Sequence, residues 1–272
     1  MIGRLLGQSL GQVRRSTLVL SLGAGAFFYL VLFSSSAFLP EVGELPGAAG
    51  GFLRNPPRAF EAFLGGSANF FDPSGWLAAG MTHPVSLALL TGAALAVSSG
   101  AVAAEVERGT VDLVLSRPVG RVRFLLGKAA ASLVAVSLVE VGAVAGALVG
   151  WATVDRVDEL SLRQVLEPFG VSWMLFAALA MVGVLVSARS SLRSRAVGLS
   201  VGLVVAWFFA NFIALLIDEV SWLRYASPFH YFRPGDVIES GAGAIDVAVL
   251  AGLGVGALSA AALVFSRRDL TR

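Results

Sequence analysis

Apolar positions in this chain gather into long runs nearly free of charge, at 16–39, 84–104, 129–152, 168–188, 197–217 and 245–266, and the polar positions collect between them. About 20 helical residues at 1.5 Å each cross roughly 30 Å of hydrocarbon, so an apolar run of 18 or more predicts a transmembrane helix. The pattern therefore predicts an all-α integral membrane protein of six transmembrane helices, forming a single domain over 1–272. The intervals are informative too. Residues 40–83 are too long for a simple turn and contain Asn55-Pro56-Pro57 followed by RAFEAFLGG. Proline in the first turn and glycine past the end predict a short helix near 57–64. Residues 2–13 place Ile2, Leu5, Leu6, Leu10 and Val13 opposite Arg4, Gln8 and Gln12. That amphipathic spacing predicts an interfacial helix before the first span. Interval 218–244 mixes charges with Trp222, Tyr225, Phe229, Tyr231 and Phe232, which predicts further short helices at the membrane face.

Composition agrees with the pattern. Hydrophobic residues make up 56% of the 272 and charged residues 14%, against about 25% charged in a soluble domain. Mean hydropathy is +0.80.

Charge sets the orientation. With the N-terminus in the cytoplasm, six spans return the C-terminus to the same side. The cytoplasmic segments then hold 14 of the 20 basic residues and the outer segments 6. Lys and Arg counts in short loops decide topology, so both termini and 105–128 are expected inside, with 40–83 and 218–244 as extracytoplasmic loops. The pI of 9.5 reflects this asymmetry, and no nucleic-acid partner is expected. The run from Thr17 to Phe33 is longer than the core of a secretory signal, so it is expected to remain as a span. There are no cysteines, which excludes disulfides, thiolate metal sites and cysteine nucleophiles.

Within the spans, few residues carry chemistry. Glu140 is the one ionisable residue deep in an apolar run. A charge there costs at least about 2.5–3.5 kcal/mol, so it should face the bundle interior or water, either lining a substrate path or bonded to a neighbouring helix. Gly142, Gly146 and Gly150 repeat every four residues on the third span, Gly198 and Gly202 on the fifth, and Gly252 and Gly256 on the sixth. Such spacing permits close helix contact, inside the bundle or between subunits. His83 and His230 fall at the same outer face, but a catalytic zinc needs three protein ligands, so no metal site is expected.

The segment Glu105 to Lys128, EVERGTVDLVLSRPVGRVRFLLGK, is the charged, amphipathic exception. Gly109 can end a helix, Thr110 can cap the next, and Asp112 falls in its first turn near the positive dipole end. Val111, Leu113, Val114 and Leu115 give that helix an apolar surface, and Pro118 stops it. Arg121, Arg123 and Lys128 lead back to the membrane, where lipid phosphates are within reach. Physical reasoning alone leaves two readings open, a docking helix for another protein or an amphipathic loop lying on the bilayer.

The residues also carry a resemblance. Glu105, Glu107, Arg108, Gly109, Thr110, Leu113, Leu115, Ser116, Pro118, Arg121, Gly127 and Lys128 resemble the first cytoplasmic loop of ABC-2 type permeases. Ser227-Pro228-Phe229-His230-Tyr231-Phe232 and the final Phe265-Ser-Arg-Arg-Asp-Leu270 are similar to that family as well. The likeness covers essentially the whole chain, most closely the branch with a long first outer loop. It implies a transmembrane permease subunit, in a prokaryotic cytoplasmic membrane, of an ATP-driven exporter. It also implies a second permease copy or homologue and two cytoplasmic ATPase subunits, which dock on 105–128 and hold the ATP and Mg. No cofactor is expected in this chain. Gly127-Lys128 is not a phosphate loop, because Val122 stands where that motif needs glycine and Ala129 where it needs Ser or Thr.

Two other classes fit less well. An intramembrane enzyme needs a dyad or ligand pair within spans, and no histidine lies deep in one. An ion-coupled secondary transporter usually leaves several intramembrane polar groups, and here Glu140 stands alone. Nothing in the residues selects a substrate.

Overall fold

A computed structural model describes residues 2–42, 56–63, 72–109, 120–155 and 157–268, with the backbone alone at 2–14, 38–42, 63 and 158. All the regular elements among them are helices: α1 (Ile2–Val42), α2 (Arg58–Phe63), α3 (Pro73–Thr82), α4 (Pro84–Ser98), α5 (Ala103–Glu107), α6 (Arg121–Thr153), α7 (Leu162–Arg189), α8 (Arg193–Leu216), α9 (Pro234–Ser240) and α10 (Ala244–Arg267), with 3-10 turns at Val157–Glu159, Asp218–Ala226 and Pro228–Tyr231. Among the described residues five helices are continuous and apolar enough to cross a membrane, and α3 with α4, bent by 48°, makes up to six if the pair is one broken span. The chain is a multi-pass helical membrane protein.

α7 is the centre of the bundle, buried along most of its length and packed against α4, α6, α8, α9 and α10. α1 lies along α6, and Phe28 of α1 reaches Phe169 of α7 edge-on at 4.9 Å between ring centres. Leu22, Val141, Val255 and Ile245 point outward with 64–74% exposure. Large apolar side chains turned away from the core are what hydrocarbon solvent demands.

Three expectations change. The interfacial helix at 2–13 is not separate: its residues are the first turns of the 41-residue α1. α6 and α7 begin before the apolar runs do, at 121 against 129 and at 162 against 168. For α7 the reason is a capping box: Ser161 Oγ accepts the Gln164 N–H and Gln164 Oε1 accepts the Ser161 N–H. A cap overrides hydropathy, because it satisfies end N–H groups wherever the chain places it.

The third change matters most. The second run is not one rod over 84–104, and 40–83 is not all loop. Pro84 has no N–H, so the helix breaks at His83, whose φ of −62° and ψ of 138° are extended. α3 before it is buried along Pro73, Gly75 and Leu77 to Thr82, as core and not as loop. Ser86 Oγ lies 2.6, 3.0 and 2.7 Å from the carbonyls of Gly80, Met81 and His83, so its single O–H can donate to any one of the acceptors at the break. A second break follows Ser98-Ser99-Gly100. There Ser187 Oγ of α7 accepts the N–H groups of Val102 and Ala103, each at 3.0 Å. Broken helices are tolerated at membrane depth only when other protein groups satisfy the freed backbone.

Candidate functional site

The polar end of the bundle is built around α5. Lys128 Nζ meets Glu105 Oε1 at 2.9 Å, with both side chains under 20% exposed, and the ammonium also sits 5.6 Å over the Phe124 ring. This pair ties the start of the 105–128 segment to its end. Glu107 Oε2 accepts the backbone N–H of Arg193, at 2.7 Å, from the beginning of α8. Arg108 folds its Nε back onto the Ala104 carbonyl at 2.9 Å. Gly109 follows at φ +68°, where a side chain would be strained, and ends the helix as its residue type predicts. Arg121 Nη1 donates to the Arg268 carbonyl at 2.6 Å, while Arg268 Nη1 donates to the carbonyls of Ala188 and Ser190.

So the structure brings Glu105, Glu107, Arg108, Gly109 and Arg121 to one end. Thr110, Asp112, Leu113, Leu115 and Pro118 lie outside the described residues. Both acids bind within the chain. Lys128, expected near lipid phosphate, meets Glu105. Burial explains the Glu105–Lys128 pair, since a charge this far from water needs a partner at hand, whereas Glu107 is exposed and makes its bond at the surface.

Glu140 is 5% exposed on the α7-facing side of α6. The Ser172 hydroxyl of α7 is its polar neighbour, and no hydrogen bond of good geometry reaches either carboxyl oxygen. One turn away, Trp173 Nε1 donates to Ser137 Oγ at 2.9 Å.

Sequence reasoning missed an open apolar groove of about 230 Å³ between α4 and α8, walled by Leu87, Thr91, Val205, Phe208, Phe209 and Phe229. A smaller pocket continues from it past Leu87, Phe208 and Phe229 to Thr82 and Asn211, where Asn211 Oδ1 has no hydrogen-bond partner. Glu140 lines neither. No spacing rule would have found the groove, since it joins residues more than a hundred positions apart.

The two histidines are structural where the fold shows them. His83 Nδ1 accepts the Val85 N–H at 3.2 Å and caps α4. His230 stands edge-on to Tyr225 and Tyr231; burial, then the charges of Arg224 and Arg233, hold its pKa below the usual histidine value.

These features define a class: a multi-pass helical membrane protein with a bent helix pair beside its spans, a clamped polar segment at one end and an apolar groove along one side. The chain belongs to the ABC-2 family transporter proteins, whose family model matches residues 11–270. That family is a membrane component of transport and not itself the ATPase. No curated protein matches the chain.

Proposed function

We propose that this chain is the permease subunit of an ATP-driven ABC exporter. Two copies, or one copy with a homologue, enclose the path in a prokaryotic cytoplasmic membrane. Two cytoplasmic ATPase subunits bind ATP and Mg and drive the permeases through 105–128. The observation that carries this is the clamp at the base of that segment. Glu105–Lys128 holds its two ends together, and Gly109 ends α5 at a φ of +68°. A segment so mounted transmits force into the bundle, whereas a loop resting on lipid needs no such base. The groove between α4 and α8 is the proposed path for an apolar or amphipathic cargo, since concave, largely apolar surfaces with a few polar groups are the usual form of such sites.

The test is replacement of Leu113 and Leu115 by Asp. Each apolar side chain contributes roughly 1.5–3 kcal/mol if buried in a dock. The double variant should insert normally and lose the ATPase in a pull-down. Retained ATPase with normal transport would remove 105–128 as the coupling element. Sidedness is checked by cysteine substitution: Ser67→Cys should react with an impermeant reagent from outside and Ser191→Cys should not.

The unpaired, buried Glu140 favours a second reading, an ion-coupled transporter. Glu140→Gln discriminates between the two. An ion-coupled carrier loses transport with this substitution and needs no ATPase, whereas an ATP-driven permease keeps nucleotide-dependent turnover.

A further inference from the structure

Glu105 and Glu107 lie two residues apart on α5, yet they fasten to different helices. Glu105 binds Lys128 on α6, and Glu107 binds the Arg193 N–H, the first residue of α8. That N–H belongs to the unpaired set at a helix N-terminus, where the helix dipole also favours a carboxylate. Leu192, the residue at the cap position, supplies no side-chain hydrogen bond. The cap therefore comes from 86 residues earlier in the chain.

The two helices are held very differently. α6 is locked to α1 along Gly142, Gly146 and Gly150. α8 buries only Ala196, Ser200, Val204 and Ala214, and a Cβ at Gly198 or Gly202 would touch nothing within 4 Å. α8 is also the wall of the groove that carries Val205, Phe208 and Phe209. A displacement of α5 is resisted at α6 and free to pass into α8.

We infer that Glu107 is a positioning residue that carries movement of α5 into α8 and so sets the width of the groove between α4 and α8. Resting on the proposed permease function, Glu105–Lys128 is then the fixed anchor of α5 and Glu107–Arg193 its moving link.

The chain contains no cysteine, so Ala88→Cys and Val205→Cys place a unique pair of spin labels across the groove. The first measurement uses the full chain in lipid nanodiscs without any ATPase. The parent should give one narrow distance distribution. Glu107→Ala should lose it, and Glu107→Gln, whose amide oxygen still accepts the N–H, should keep it. Glu105→Ala should leave the groove distance as in the parent. Arg193→Pro removes the donor without touching Glu107; proline is well accepted at the first helical position, and Leu192 is already extended. It should match Glu107→Ala, while Arg193→Ala, which keeps the N–H, should match the parent. A parent-like distribution in both Glu107→Ala and Arg193→Pro overturns the inference. In the second measurement, with the ATPase co-purified, nucleotide should shift the distance in the parent and not in Glu107→Ala, although the variant still retains the ATPase. A full shift in Glu107→Ala overturns the inference too. A parent that retains no ATPase defeats the permease reading alone, and the first measurement still decides the role of Glu107.

Discussion

Gly142, Gly146 and Gly150 on α6 have the same four-residue spacing as Gly198 and Gly202 on α8, and the fold treats the two stripes in opposite ways. On α6 the glycines are the seam. A Cβ at Gly142 would run into Ser21, one at Gly146 into the Gly25 carbonyl, and one at Gly150 would press on Leu32 at 3.0 Å. Ser21 Oγ seals the contact with a 2.8 Å hydrogen bond to the Leu138 carbonyl. On α8 the glycines face open space beside Leu199, Val201 and Val205, each more than 40% exposed. Small residues four apart permit close approach but do not compel it. What compels it is a partner helix with its own gap in register, and Ser21 and Gly25 provide one for α6. The bundle thus has a rigid side, α1 with α6, and a lightly held side, α8. A machine that moves cargo needs both, a fixed frame and an element free to shift against it.

The largest expected effect breaks the seam. Gly146→Val should separate α1 from α6 and cost about 3 kcal/mol or more, since overpacking a tight contact forces the backbone apart. Thermal unfolding in detergent reads this as a large fall in the midpoint. A midpoint like the parent's would mean that the seam is not rigid. An intermediate effect is expected at the clamp. Lys128→Met leaves Glu105 largely buried without its cation, costing about 1–3 kcal/mol. Glu105→Gln with Lys128→Met together should recover part of the loss, and a double variant no better than the single would show that the pair contributes no stability. The smallest effect belongs to the open stripe. Gly202→Ala should change stability by less than about 1 kcal/mol, with a gain expected from helix propensity. A loss comparable to that of Gly146→Val would mean that a second copy of the chain covers α8, which crosslinking through Gly202→Cys would then report.

Much of the fold was legible because the solvent is demanding. A bilayer requires apolar runs of set length, so the spans could be read from Thr17, Val134 or Ala251 and their neighbours without knowing what they touch. The short helix at Arg58–Phe63 followed from its prolines. The candidate site was legible in part. Gly109 ends α5 as its residue type implies, but the destinations of Glu105 and Glu107 were not readable, because Lys128 and Arg193 come close only when three helices meet.

The sequence by itself determined the helical class, the number of apolar runs and the asymmetry of charge, since each depends on local composition meeting water or hydrocarbon. Tertiary structure alone decided the rest. It turned Pro73–Thr82 from loop into core, and it let Ser86 and Ser187 bond backbone groups at the breaks before and after α4. It also chose which glycine stripe became a seam and sent two neighbouring carboxylates to two different helices. These outcomes depend on which surfaces come together across many residues of chain, and no local pattern encodes that.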